Sequence, residues 1–195
     1  MKYSKSTIIF LAIVAIILVW GVTSYNSLVT QDETVSAEWA NVQTQYQRRA
    51  DLIPNLVNTV KGYAAHESQT FQDVVDARAK ATQITLNAED LTEENLRKFQ
   101  QAQSELSKGL SKLMAVAESY PDLKASQNFS ELQAQLEGTE NRIAESRRRY
   151  NEVVKEYNVN VRRVPKSIIA GMFGFEKKAP FEASEAAQTA PTVEF

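Results

Sequence analysis

Two patterns of apolar residues divide the chain. From Ile8 to Val22 it reads IIFLAIVAIILVWGV, a run with no charged or strongly polar side chain. Beyond that run the apolar positions recur three and four residues apart. One stripe is Val35, Trp39, Val42, Tyr46, Arg49, Ile53, Leu56, Val60 and Tyr63, extended by Phe71 and Val74. A second is Leu96, Phe99, Gln103, Leu106, Leu110, Leu113, Ala117 and Tyr120, and a third is Leu132, Leu136, Thr139, Ile143, Ser146, Tyr150, Val153 and Tyr157. A continuous apolar run suits a helix surrounded by lipid, whereas a 3-and-4 stripe suits one face of a helix in a bundle or coiled coil.

The first run is short for a bilayer core, which takes about 20 helical residues and about 17 at the least. Ser6, Thr7, Thr23 and Ser24 bring it into range, because their hydroxyls can bond back to helix carbonyls. Its rival is a signal peptide, but Val22-Thr23-Ser24 is a poor small-residue cleavage site and Trp20 suits an interfacial aromatic. A retained anchor is the preferred reading. Lys2 and Lys5 precede the run, and Thr23 to Gln47 holds no Lys or Arg. The positive-inside bias then expects a cytoplasmic N-terminus and an extracytoplasmic domain at the inner membrane.

Punctuation divides the remainder into three long helices. Thr92 with Glu93 and Glu94 marks a helix start, Pro121 stops the second helix, Ser130 with Gln133 can cap the third, and Pro165 closes it. If Pro54 breaks the first helix, there are four. The expected class is all-α: a long antiparallel helical bundle after one N-terminal transmembrane helix. The expected units are a tail over 1–7, the span over 8–24, the bundle over 25–164 and a C-terminal segment over 165–195.

Composition narrows the chemistry. The 195 residues hold 22 Lys+Arg against 24 Asp+Glu, so no basic footprint for nucleic acid is expected. With Lys2 and Lys5 subtracted, 20 cations face 24 anions beyond the span, a net −4 that predicts no electrostatic cling to anionic lipid. There is no Cys and one histidine, His66. HExxH fails because position 70 is Thr70, and Glu-x-x-His fails because Tyr63 stands three before His66. No catalytic, cofactor-binding or metal-ligating residue is singled out.

The densest anomaly is Arg48 to Val57. Pro54 cannot donate a backbone bond and crowds the carbonyl of Ala50, so a kink is expected there. Arg49 falls on the apolar stripe, where a charge needs partners. The preferred reading is structural: Arg49, and with it Asp51, ties the bend to a facing helix, and the Arg49 guanidinium can take the freed carbonyl. A recognition site at the bend is the alternative. Arg147-Arg148-Arg149 reads as a solvated face beside Glu145 and Glu152, able to pair with acids on the first or second helix. Tyr25-Asn26, Tyr150-Asn151 and Tyr157-Asn158 suggest asparagines bonding across helices and tyrosines with wet hydroxyls. The apolar, glycine-broken Ser167–Phe175 is too short to span a bilayer; docking on the first helix is preferred over dipping into the membrane interface or receiving a partner. Glu176–Phe195 is expected to be mobile, with Val193 and Phe195 as tacking points.

YNSLVTQDETVSAEWANVQTQYQRRADLIPNLVNTVKGYAAHE resembles the opening of the LemA family of bacterial membrane-anchored helical proteins. SRRRYNEVVKEYNVNV, VPKSIIAGMFGFEKKAPFEA and the terminal APTVEF resemble its closing stretch. The resemblance implies a short N-terminal tail, one transmembrane helix, a long antiparallel helical bundle and a bacterial origin, and it supplies no catalytic residues. The functional expectation is a non-enzymatic envelope interaction or scaffold module with a protein partner. The alternatives are a self-assembling oligomer joined through 168–175 or a carboxylate metal bundle.

Overall fold

The computed structural model describes residues 4–182. Its first element, α1 (Lys5–Lys61), is a single helix of 57 residues, about 85 Å long at 1.5 Å per residue. Apolar run and first stripe therefore share one uninterrupted rod. A turn over 62–67 leads into α2 (Ser68–Gln83), which comes back along α1. A loop with a 3₁₀ turn at Ala88–Asp90 joins it to α3 (Glu93–Glu118), which runs outward again. The short α4 (Pro121–Lys124) turns the chain into α5 (Gln127–Arg162), which returns antiparallel to α1. The last helix, α6 (Lys166–Phe173), ends at Gly174, whose φ of 75° lets the Phe175 amide donate to the Ala170 carbonyl at 3.0 Å. That closure reverses the chain, and 176–182 runs back along α5 as an extended strap.

The bundle thus has four long helices, and the fourth arises at 62–67 rather than at Pro54. Pro54 stays inside α1. The Ala50 carbonyl that it orphans accepts instead from Arg78 Nε on α2, at 2.7 Å. Tyr63, placed on the first stripe by spacing, lies in the turn and is exposed. The other stripe positions through Val60 are buried. On α3, Thr92 caps as expected, its Oγ1 accepting from the Asn95 amide at 3.3 Å. On α5, the helix starts at Gln127 after Ser126, so Ser130 lies within it and caps nothing. Val153 is half-buried while Val154 takes the core position.

The core falls into two apolar clusters along the rod. One, nearer the apolar run, gathers Leu28, Val35, Trp39, Tyr46, Phe99, Tyr150 and the strap residue Phe181. The other, farther out, gathers Ile53, Leu56, Val60, Val74, Leu106, Leu113 and Phe129. The α2–α3 hairpin fills the outer half, while the strap and the 84–91 loop fill the inner half. Between the two clusters lies Arg49.

Candidate functional site

Arg49 is 2 % exposed and stands where all four long helices meet. From α1 its Nη1 donates to Ser107 Oγ on α3 at 3.1 Å and to Glu140 Oε1 on α5 at 3.0 Å. Its Nη2 donates to Gln103 Oε1. Gln103 Nε2 in turn donates to the Ala81 carbonyl of α2 at 3.3 Å, and the ring of Tyr46 lies 5.1 Å from the guanidinium carbon. One buried charge therefore ties three helices directly and the fourth through an amide. Glu140 sits at the rim, 43 % exposed, so the pair is only half desolvated and escapes the full cost of a buried ion pair. Arg49 ties the helices as its position on the stripe predicts. Two details differ: Arg78 takes the freed carbonyl, and Asp51 stays exposed, accepting from Gln47 Nε2 of its own helix at 2.7 Å.

Beside this polar layer an open groove of about 740 Å³ runs between α1 and the end of α2. Its walls include Gln43, Thr44, Gln47, Arg48, Asp51, Thr82 and Thr85. These amides, hydroxyls and opposite charges can hydrogen-bond a polypeptide or another polar surface. They include no nucleophile activated by a neighbouring base.

A second constellation was hidden from helix periodicity. Asn151 and Asn158 lie seven residues apart on α5, and each holds the strap by both the amide and the carbonyl of a single residue. Asn158 Nδ2 donates to the Lys178 carbonyl at 2.8 Å while its Oδ1 accepts from the Lys178 amide at 3.0 Å. Asn151 does the same for Phe181, at 3.0 and 2.8 Å. Tyr150 Oη donates to the Ala179 carbonyl at 2.8 Å, and the Ala179 amide donates to the Leu91 carbonyl at 2.9 Å. Lys178 Nζ reaches the Ala88 carbonyl at 2.8 Å and Asp32 at 3.5 Å. Phe181 then stacks on Trp39 with ring centroids 5.9 Å apart, and Trp39 Nε1 donates to the Leu86 carbonyl at 2.8 Å.

The strap corrects three expectations. Residues 176–182 are held in place, while the rest of the tail, with Val193 and Phe195, lies outside the described residues. Asn151 and Asn158 bond the strap rather than a facing helix. The Tyr150 hydroxyl is dry, and burial pushes its pKa above the ordinary phenol value; the same cause raises Tyr46 and Tyr157. The one available signal was the spacing of seven between the Tyr-Asn pairs at 150 and 157, two helical turns.

The remaining candidates disperse. His66 sits exposed in the 62–67 turn, not on a helix. Arg148 and Arg149 pair within α5, with Glu145 at 2.8 Å, rather than with the first or second helix. Their hydrogen bonds, that of Arg148 first, hold the Glu145 carboxyl down to about 2. Arg147 leaves the run: its Nη2 donates to the Glu182 carbonyl at 3.1 Å, and it lies 4.6 Å over the Phe181 ring. Among the described residues no cluster of three His, Cys, Asp or Glu is placed to hold a metal.

Segment 168–175 docks by one face only. Ile169 and Phe175 pack on the inner cluster and Ala170 is buried, while Lys166 Nζ donates to Ser27 Oγ at 3.0 Å and Phe173 lies 4.7 Å from the ring of Tyr25. Because α5 returns toward the apolar run, α6 comes to rest where that run ends. The run itself forms a helix long and apolar enough to cross a membrane, with its side chains exposed.

Comparison with known proteins finds relatives over most of the chain. The chain is 27% identical over 182 residues to magnetosome protein MamQ 2 of Paramagnetospirillum magneticum AMB-1, covering 85% of this chain and 67% of that protein. It is 27% identical over 202 residues to MamQ of Magnetospirillum gryphiswaldense MSR-1, covering 93% and 74%. Protein LemA of Metamycoplasma hominis is 22% identical over 160 residues, covering 82% and 69%. The model of the LemA family matches residues 38–195, from just before Trp39 through most of the bundle to the end of the chain. A match that covers most of the bundle, the strap and the tail makes this chain a member of the LemA family.

Proposed function

We propose that the protein is a non-enzymatic interaction platform, anchored in the cytoplasmic membrane and displaying its bundle on the extracytoplasmic side to protein partners of the envelope. The observation that carries this reading is the continuity of α1. Because the membrane helix is also the central helix of the bundle, the rod stands off the membrane at a fixed angle, without a flexible linker. A rigid stalk of this kind restricts partner encounters to a defined height above the bilayer and raises their effective concentration. The interior polar groups support the same reading: Arg49, Gln103, Asn151 and Asn158 are engaged in holding helices and strap together. The polar groove beside Arg49 is the face offered to a partner. Lys2 and Lys5 ahead of the span, with no Lys or Arg from Thr23 to Gln47, support the orientation. Relatives named for the magnetosome and a relative named only for the family suit one scaffold put to several uses.

A cysteine-free chain makes the test direct. With Asp122→Cys at the outer end, an impermeant maleimide is expected to label intact cells; labelling only after permeabilisation contradicts the orientation. With photo-crosslinkers at Thr44 and Gln47, the same envelope protein is expected as a discrete adduct from both positions. Absence of any adduct at both positions contradicts the interaction role.

A further inference from the structure

Among the described residues none packs against the outward face of α6, and that face is apolar. Met172 is 72 % exposed, Ile168 58 % and Phe173 58 %, and Val164 before the helix is exposed too. Ile168 and Met172 are four residues apart, so they share one side, opposite the buried Ala170. Large exposed apolar side chains are scarce elsewhere on the bundle. Beyond the apolar run, the other described ones are Tyr25, which touches α6, and Tyr63, Val75 and Val159, which form no group with one another in sequence. An apolar patch concentrated on one short helix marks a binding surface rather than a chance exposure.

Its position selects the occupant. Two contacts fix the height of α6 on α1, Lys166 Nζ to Ser27 Oγ at 3.0 Å and Phe173 on Tyr25 at 4.7 Å, and near the end of α5 Asn160 Nδ2 donates to Gln31 Oε1 of α1 at 3.0 Å. Tyr25 lies three residues beyond Val22, the last residue of the apolar run, which is about 4.5 Å along the helix axis. The apolar face of α6 is therefore continuous with the apolar sheath of the membrane helix. Tyr25, Phe173 and Phe175 form an aromatic group at the depth where aromatic rings settle between hydrocarbon and headgroups. Arg162 and Arg163, both exposed at the end of α5, stand at the same end, where headgroup phosphates would meet them. The net −4 of the domain does not oppose this, because the contact is chiefly apolar and its cations are local.

We propose that α6 is a second membrane-contacting element, an interfacial helix that lies in the headgroup layer and inserts Ile168, Met172 and Phe173 among the acyl chains beside the span. The bundle is then braced at two points on the bilayer rather than balanced on one helix. This goes beyond the platform role and holds on either side of the membrane, so it stands or fails independently of the topology and crosslinking results.

The test uses the full chain in vesicles of phosphatidylethanolamine and phosphatidylglycerol, with a nitroxide at Met172→Cys and a reference nitroxide at Thr44→Cys in the exposed part of α1. Collision with molecular oxygen, which partitions into lipid, is compared with collision with a water-soluble nickel chelate. At position 172 the ratio of oxygen to nickel collisions is expected to be severalfold above that at position 44. Equal ratios at the two positions place the face in water and overturn the proposal. Exclusion of both reagents at 172 places it against protein, a second copy of the chain included, and overturns it equally.

Discussion

The two halves of α1 are built from the same backbone and meet opposite environments. From Ile8 to Val22 large apolar side chains point in every direction and nearly all are exposed; Ile16 and Ile17, neighbours about 100° apart around the helix, are both so. From Ser24 to Val60 only one stripe is buried, and the residues between, such as Asp51 and Thr44, face water. In the first half burial has to come from lipid, and the sequence answers with apolar residues all round. In the second half it comes from the other helices, the strap and the 84–91 loop, and the sequence answers with a period of three and four. The helix itself does not change. What changes is the solvent it is written for, and the boundary lies near Ser24, the first buried residue among those described, where α6 arrives.

Mutations that confuse the two solvents have the largest effects. Trp39→Ala removes the ring that Phe99, Tyr150 and Phe181 pack against, and is expected to cost the bundle about 3–5 kcal/mol in denaturant unfolding. The variant should still remain with the membrane fraction. Ile13→Arg does the reverse: a charge mid-span costs about 2.5–3.5 kcal/mol of insertion, read as a larger share extracted by carbonate. Denaturant unfolding of its bundle in detergent should be unaltered.

Arg49→Ala addresses the polar layer that interrupts the second half. It leaves Gln103 Oε1 buried without its donor, at an expected loss of about 2–3 kcal/mol. Glu140→Gln, at the exposed rim of the same group, is expected to cost no more than about 1 kcal/mol. Equal losses from the two would show that the ion pair, and not the buried hydrogen bonds, holds the layer.

Titration gives the smaller effects. The phenols of Tyr46, Tyr150 and Tyr157 titrate above their ordinary value of 10.0 because burial disfavours the phenolate. Their stability contribution is complete below pH 10 and is lost as pH rises from there toward the folded values, since the unfolded chain gives up its protons first. Each fully shifted phenol lowers stability by about 1.4 kcal/mol per pH unit in that window. Tyr150→Phe should remove one such share from the alkaline slope. Glu145 has the opposite sign: held at about 2 against an ordinary 4.5, it contributes above 4.5 and loses that contribution as pH falls toward 2. It is exposed, so the change is small and should fade further in high salt.

Much of this organisation was legible because both solvents leave a periodic mark. The stripe from Val35 to Val60 predicts the buried face of α1, and Arg49 on that stripe predicts a tie between helices. Pro54 misleads because the cost of its missing bond depends on what lies beside the helix, and Arg78 of α2 supplies the donor that keeps α1 intact. The true break, at Gly62, carries only a glycine after Lys61 as a signal. The strap is harder still. Extended backbone has no helical period, and Asn151 and Asn158 declare their role only once 178–181 lies against them. The end of the rod at which α6 lands was open for a related reason, since it turns on whether the number of long helices is odd or even.

Continuity of α1 across the boundary is the claim on which the rest depends, and a distance measures it. Nitroxides at Val19→Cys and Thr44→Cys, both exposed, are 25 residues apart on nearly the same side of the helix. Pulsed dipolar spectroscopy of the full chain in nanodiscs is predicted to give one narrow distance near 38 Å. A broad distribution, or a distance shorter by several ångströms, would reveal a hinge at the membrane surface and contradict the rigid stalk.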